Sequence, residues 1–413
     1  MGASYRRTVR GRRLRSGDIV ARMIREITIK GFKSILDQTI ALGRVNCFIG
    51  ANGVGKSNVL EAIGVLGAAA NGRVDDEALE RRGVRLGLPR LYKTSFKTEA
   101  IPPHITLKAF EDGEWDGAYF EVSLLNPLKN PEPAWSFKTE TLWATDAAIV
   151  SQGVRSEKPN LPRQAGLSAL KLVDLRPEDP ASKLLRTLQD FAIYCPNTPA
   201  LRGFGDRHMR LPLGLSGGGL AESFGALRET LDEDTLEDVL GLIDWVSDIE
   251  TTDSVGELLS PSVARTQSVL KFTDRFMAKD RNTFTAYDAS EGALYVLFAA
   301  LLCLSPQSPN LFAIDNLDQA LNPRLIQRLT ARLGPWLKQA NPTRQLLFTA
   351  HNPAVLDGLA LEDDEVRLFA VERNSDGHTQ IRRIALSPEL LKLNADYPLS
   401  RLWMMGNLGA VSV

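Results

Sequence analysis

The sequence predicts an α/β fold with a mixed and parallel sheet, carrying an inserted β-hairpin and a helical subdomain. Three observations predict it. First, the apolar run Val45-Asn46-Cys47-Phe48-Ile49 leads through a glycine-rich loop into the helical stretch Ser57–Ile63. Second, helix-length and strand-length apolar segments alternate after residue 280, the rhythm of a parallel sheet with crossover helices. Third, these two regions are separated by a long, compositionally mixed segment that continues neither pattern.

Taken in order, Met23 to Lys30 largely alternates apolar and polar residues, as a half-buried strand does. Gly31-Phe32-Lys33-Ser34 follows, then a second extended stretch to Leu42, then the strand Val45–Ile49. From about 75 to 100 the chain is basic and irregular, with Arg81, Arg82, Arg85, Arg90, Lys93 and Lys97. Extended segments at Ile105–Phe110 and Ala118–Leu124, around Asp112-Gly113-Glu114, predict a hairpin. Prolines and polar residues at Asn126–Pro133 and Lys158–Pro162 mark loops. Residues 165–280 read as helical but interrupted. Ser182–Ala192 has helical spacing, and so does Ala221–Ile249, with Leu227, Leu231, Leu236, Val239, Leu240, Ile243 and Trp245. The cluster Gly214–Gly219 separates the two. A helix at Glu291–Leu304, a strand at Leu311–Ile314, a helix at Arg324–Gln339 and a strand at Gln345–Thr349 complete the pattern. Heptads are not sustained, so no long coiled coil is expected. The expected divisions are a basic flexible arm at 1–22, a lobe at 23–75, the inserted β and helical subdomain at 76–280, a second lobe at 281–387 and a tail at 388–413. Leu402-Trp403-Met404-Met405 in that tail is expected to pack on the body of the protein.

Composition bounds the class. With 44% apolar and 24% charged residues over 413 positions, the chain is an ordinary globular one of two or three lobes. The longest apolar run, Ala293 to Leu304, is too short to span a bilayer, and no signal peptide is evident, so a cytoplasmic protein with no membrane partner is expected. Cys47, Cys195 and Cys303 are widely spaced and read as reduced, mostly buried thiols. The net charge of −1 hides a basic N-terminus, where Arg6, Arg7, Arg10, Arg12, Arg13, Arg15 and Arg22 face only Asp18. Such an arm suits an acidic partner or simple solvation.

Chemistry concentrates at a few places. Gly50-Ala51-Asn52-Gly53-Val54-Gly55-Lys56-Ser57 fits G-x-x-x-x-G-K-[ST], the loop that cradles nucleotide phosphates. Its glycines let successive N–H groups face one anion, Lys56 reaches the β- and γ-phosphates, and the Ser57 hydroxyl ligates Mg²⁺. The run Leu311-Phe312-Ala313-Ile314-Asp315 supplies the metal's acidic partner at a strand end, a Walker B pattern. Leu346-Leu347-Phe348-Thr349 leads into Ala350-His351-Asn352, and a histidine at the end of a parallel strand stands where α/β proteins bind ligands. In Tyr287-Asp288-Ala289-Ser290-Glu291-Gly292, Ser290 can cap the following helix, and Ser-x-Gly offers a hydroxyl and free N–H groups to an anion, here a phosphate held by a second protomer.

In this order, the motifs resemble the ABC-type ATPase heads of the RecF, SMC and OLD-like prokaryotic ATPases, Septu-type defence ATPases among them. Met23–Ser34 is similar to their opening strand and Gly50–Ile63 to their P-loop and helix, including Asn52 and Asn58. Ala289-Ser290-Glu291-Gly292 is similar to their signature loop, Asp315 to their Walker B aspartate, Leu321-Asn322-Pro323 to their D-loop region, and His351 to their switch histidine. The resemblance covers about 23–70 and 285–375. It implies binding sites for ATP and Mg²⁺, using Asn52, Gly53, Gly55, Lys56, Ser57, Asn58, Ser290 and Gly292 for the nucleotide and Ser57 with Asp315 for the metal. It also implies a head-to-head dimer with two ATP molecules sandwiched between P-loop and signature loop. One departure matters: Asn316 follows Asp315 where the family has glutamate, and an amide cannot accept a proton. Loss of a general base slows hydrolysis by about 10²–10⁴-fold. Asn316 can still orient water, Asp318 is a substitute base to consider, and His351 completes the candidate catalytic set. No glutamine is assigned to the family's Q-loop. The expectation is an ATP-gated dimer acting as switch or scaffold in an anti-phage complex. Its effector, such as a nuclease, is expected on a separate polypeptide, since only Gly377–Val413 follows the head. A RecF-like ATPase that binds DNA through 81–97 and Arg202, Arg207 and Arg210 is the alternative.

Overall fold

Fifteen strands among the described residues form three sheets, and two of these sheets sandwich the P-loop helix. The computed structural model describes residues 22–97, 99–112, 117–145, 147–152, 162–204, 210–253 and 268–408. The basic arm through Ala21, the hairpin tip at Gly113 and Glu114, the loop from Lys158 to Leu161, and Arg207 lie outside them.

The first sheet is antiparallel. Strands β1 (Ile24–Phe32) and β2 (Ile35–Ala41) pair around the Lys33-Ser34 turn, and β1 pairs on its other side with β4 (Ile105–Glu111). Strand β5 (Ala118–Leu125) continues the predicted hairpin, and β6 (Ser136–Ala144) and β7 (Ala147–Gln152) extend it in the order β2-β1-β4-β5-β6-β7. The hairpin is therefore not an appendage, because β4 joins it to the opening strand.

The central sheet contains β3 (Val45–Ile49), β8 (Ile193–Tyr194), β12 (Leu311–Ile314), β13 (Gln345–Ala350), β14 (Val366–Arg373) and β15 (Thr379–Ile384), in the order β15-β14-β3-β13-β12-β8. All pairs are parallel except β14 with β15. Both faces are covered, so these strands read as continuous apolar runs rather than alternating ones. On β3, Val45, Cys47 and Ile49 face one core, and Phe48 faces the other.

The helix Lys56–Ala70 lies in the second of these cores, packed with β1, β4 and β5 and with Leu184, Leu185 and Leu188 of the helix Pro180–Asp190. It is apolar on nearly every side, as a helix between two layers must be. The opposite face of the central sheet carries the helices Glu291–Leu304 and Pro323–Ala340.

Residues 165–280 depart from the helical expectation. Among the described residues five α-helices are there, but Ala221–Ile249 breaks after Arg228 and again after Leu240, and β10 (Val269–Asp274) pairs with β9 (Val246–Thr252) on one side and β11 (Thr283–Thr285) on the other in a third sheet. The apolar spacing Val239, Ile243, Val246, Ile249 imitates a helix, whereas Val246 and Ile249 are core positions of a strand with a bulge. In the tail, Leu402 and Trp403 are buried while Met404 and Met405 are exposed.

Candidate functional site

Three parallel strands deliver the site. Gly50 follows the end of β3, Asp315 that of β12 and His351 that of β13, all on the carboxyl edge of the central sheet. Gly50 is required by packing, since a Cβ there would lie 2.1 Å from the Val371 carbonyl oxygen on β14. Gly55 has φ 109° at the N-cap of the P-loop helix, a left-handed backbone that L side chains rarely adopt.

Lys56 is buried and donates to the Gly50 and Ala51 carbonyls, at 2.8 and 2.9 Å. It also lies 3.2 Å from His351 Nδ1. An ammonium only donates, so Nδ1 must be bare and the imidazole proton sits on Nε2. From there it donates to Asn316 Oδ1 at 3.1 Å. Burial and the neighbouring Lys56 charge hold the His351 pKa below its ordinary value, consistent with this neutral tautomer. Burial also lowers Lys56 to about 8, against the opposing pull of Asp315 and Asp318.

The Ser57 hydroxyl sits 3.0 and 2.9 Å from the two Asp315 carboxylate oxygens. Thr349 donates to Asp315 Oδ1 at 2.6 Å and accepts from the Asn316 N–H at 2.8 Å. The Ser57 hydroxyl and the Asp315 carboxylate are adjacent hard oxygen donors, the kind that would hold Mg²⁺. Among the described residues no group of three or more His, Cys, Asp or Glu is placed to hold a metal ion.

Asn316 has φ 58°, a conformation that asparagine tolerates better than most residues. Asp318 Oδ2 accepts from the backbone N–H groups of His351 and Asn352, at 2.9 and 2.6 Å. Its carboxylate thus braces the turn that carries His351. The structure brings Lys56, Ser57, Asp315, Asn316, Asp318 and His351 together. Asn52 and Gly53 are exposed at the loop tip, and the Asn58 amide donates to Ser34 Oγ at 2.7 Å. Ser290 caps its helix, its Oγ accepting from the Ala293 N–H, and it is exposed. No hydrogen bond among the described residues joins Ser290 or Gly292 to residues 50–58.

Sequence reasoning missed Thr349 as a partner of Asp315, although the motif Leu346–His351 contained it. It also missed Glu61, a buried carboxylate on the P-loop helix that pairs with Lys33 and with Arg85. Only the Ser57-to-Glu61 spacing, one helical turn, hinted that it faces the site side. A third omission is the turn after β8. The Asp315 N–H donates to the Tyr194 carbonyl, Pro196 O accepts from Tyr295 OH, and Thr198 donates to Glu291. Cys195, the one exposed cysteine, lies in this turn, between β12 and the helix Glu291–Leu304.

Comparisons with known proteins agree with this geometry. The family model described as "AAA domain, putative AbiEii toxin, Type IV TA system" matches residues 210–357, which include Ser290, Asp315 and His351. The model described as "AAA ATPase domain" matches residues 23–99, which include the P-loop. Comparison with curated protein sequences gives no match. Among solved structures, an SmcHead bound to the C-winged helix domain of ScpA is similar with a TM-score of 0.51 and 12% identity, over 88% of this chain and 98% of that one. The SMC head domain from Thermotoga maritima has a TM-score of 0.45 and 13% identity, over 88% of this chain and 100% of that one. The fold is that of an SMC head, and both family models that match are of AAA-type domains.

Proposed function

We propose that this protein binds ATP with Mg²⁺ between Lys56, Ser57 and Asp315, closes as a head-to-head dimer on the nucleotide, and hydrolyses it slowly. The observation that carries the reading is the pairing of Asn316 Oδ1 with His351 directly beyond Asp315, an amide where a general base would stand. Asp318, the nearest candidate base, has Oδ2 held by two backbone N–H groups and a buried Oδ1 without a hydrogen-bond partner among the described residues, so loss of turnover in Asp318→Ala would assign it the base's role instead. Mg²⁺ supplies charge neutralisation at the phosphates. Lys56 moves from the Gly50 and Ala51 carbonyls to those phosphates, and His351 holds Asn316 in position. ATP then stabilises an assembled state longer than it drives turnover, the behaviour of a switch. The exposed Ser290 hydroxyl and Gly292 N–H, at a positive helix end, suit a partner protomer's γ-phosphate. An effector on a separate polypeptide, in a defence complex, is consistent with the ScpA domain bound to a similar SMC head.

The DNA-binding alternative loses much of its expected footprint. Arg82 and Lys93 are buried and donate to backbone carbonyls, Arg81 pairs with Glu77, and Arg85 pairs with Glu61.

The test combines single-turnover ATPase kinetics with mass determination in the presence and absence of ATP. Slow turnover with ATP-dependent doubling of mass is expected. Rapid multiple turnover, or a monomer at saturating ATP, refutes the reading.

A further inference from the structure

Behind the P-loop, four residues from three parts of the chain form one directed line of hydrogen bonds. Thr379 Oγ1, at the start of β15, donates to the Val54 carbonyl at 2.7 Å. A carbonyl only accepts, so the single Thr379 proton is spent there. The 2.7 Å contact between Ser34 Oγ and Thr379 Oγ1 must then have Ser34 as donor. Ser34 in turn accepts from the Asn58 amide at 2.7 Å. The Thr379 N–H also donates to the Ser34 carbonyl at 2.7 Å, which fixes the two residues to each other. Thr379 is 1% exposed and Ser34 and Val54 are 6% exposed, so water does not substitute for these three, while Asn58 is partly exposed.

The planar trans peptide gives this line its consequence. Val54 C=O and Gly55 N–H belong to one rigid unit and point in opposite directions. Anchoring the carbonyl toward Thr379 therefore turns the Gly55 N–H away from it, toward the open side of the loop. That N–H has no protein acceptor among the described residues. The space behind the loop is also closed: a Cβ on Gly55 would lie 2.3 Å from Thr379 Oγ1 and 2.8 Å from Ser34 Oγ. The peptide is thus held by a hydrogen bond on one side and by contact with the same two hydroxyls.

We infer that Thr379, oriented by Ser34 and Asn58, is a positioning residue that keeps the Gly55 N–H aimed at the nucleotide's phosphates. This rests on the proposed nucleotide reading of the P-loop. It also assigns Asn58 to the support of the loop rather than to the nucleotide itself, and gives the β14–β15 hairpin a role in phosphate binding. A chain of such bonds strengthens each member, so the Ser34 end matters to the Val54 end.

The experiment measures ADP and ATP-analogue binding by calorimetry for wild type, Thr379→Val, Thr379→Ser and Ser34→Ala, with thermal melts alongside. Thr379→Val keeps the shape and removes the donor, leaving a buried carbonyl unpaired and the peptide free to turn. Its dissociation constant is expected to rise about 10- to 100-fold. Thr379→Ser retains the hydroxyl and is expected to bind within about threefold of wild type. Ser34→Ala leaves the Val54 bond but frees the Thr379 rotor, and an intermediate loss is expected. Wild-type affinity in Thr379→Val overturns the inference, as does an equal loss in Thr379→Ser, which would mean packing rather than the hydroxyl. Should Thr379→Val not fold, Ser34→Ala binding as tightly as wild type overturns it. Failure of the wild-type protein to bind any nucleotide refutes the underlying reading instead, and the two failures are distinct.

Discussion

Replacing Asn316 by glutamate tests the slow-turnover reading most directly. The perturbation is confined: the Asn316 N–H bonds to Thr349, and among the described residues its side chain hydrogen-bonds only the His351 imidazole, at 3.1 Å. A carboxylate there adds the proton acceptor that the amide lacks. General-base catalysis contributes about 10²–10⁴-fold, or about 3–5 kcal/mol of barrier. Against this stands the backbone, since φ 58° favours asparagine, and glutamate there costs about 1 kcal/mol of stability. That cost falls on folding and leaves the barrier unchanged, so a large net gain in rate is expected. Asn316→Ala gives the control. If the amide only steadies His351 and water, its loss costs one hydrogen bond, about tenfold or less in rate. The assay is single-turnover hydrolysis at saturating enzyme, which removes product release and nucleotide affinity from the comparison. A glutamate variant that binds ATP yet hydrolyses it no faster than wild type refutes the argument that the missing carboxylate limits turnover. Slow hydrolysis would then have to come from an incomplete site, such as one awaiting the partner's Ser290.

Two further outcomes follow from charge placement. Because burial lowers Lys56 to about 8, the P-loop loses its cation as pH rises through that value. ADP affinity is therefore expected to fall by up to about tenfold per pH unit above 8, and a flat profile from pH 7 to 9.5 by calorimetry contradicts it. The stability contribution has the opposite sign: between about 8 and the ordinary 10.5 the unfolded chain holds a proton that the folded one has released, so this group's penalty on folding diminishes as pH rises through that window. Glu61→Gln leaves Lys33 half-buried without its carboxylate, and urea unfolding is expected to show a loss of about 3 kcal/mol, less than the full cost of breaking a buried pair because Arg85 is largely exposed. Lys33 is already lowered by burial, so the deficit shrinks at high pH as it deprotonates, and a loss that is independent of pH rules out charge as the cause.

What the sequence made legible follows from which forces acted locally. The strands β3, β12 and β13 are buried on both faces, so their apolar runs stand out against polar flanks, and the functional residues sit at the ends of those runs. Lys56, Ser57, Asp315 and His351 were found for that reason: each is the first polar group beyond a buried strand or at the helix it feeds. Strand β8 has two residues and no pattern of its own, and it is defined only by its pairing with β12. The turn at Cys195 was therefore invisible, although β8 and the residues after it bond to Asp315 and to the helix Glu291–Leu304. Strands β9 and β10 were read as helix because a bulge and a distant partner left a three-residue apolar spacing intact. Thr379 is the sharpest case. It lies 325 positions from the Val54 carbonyl it holds, on an edge strand with no motif around it. A motif names the groups that face the ligand, because their chemistry is constrained by the ligand. The groups that hold those faces in place are constrained only by the fold. Ser34, Thr349 and Thr379 are ordinary hydroxyls until the sheet order brings them to the loop and the metal carboxylate, so the binding chemistry is local in sequence and its rigidity is not.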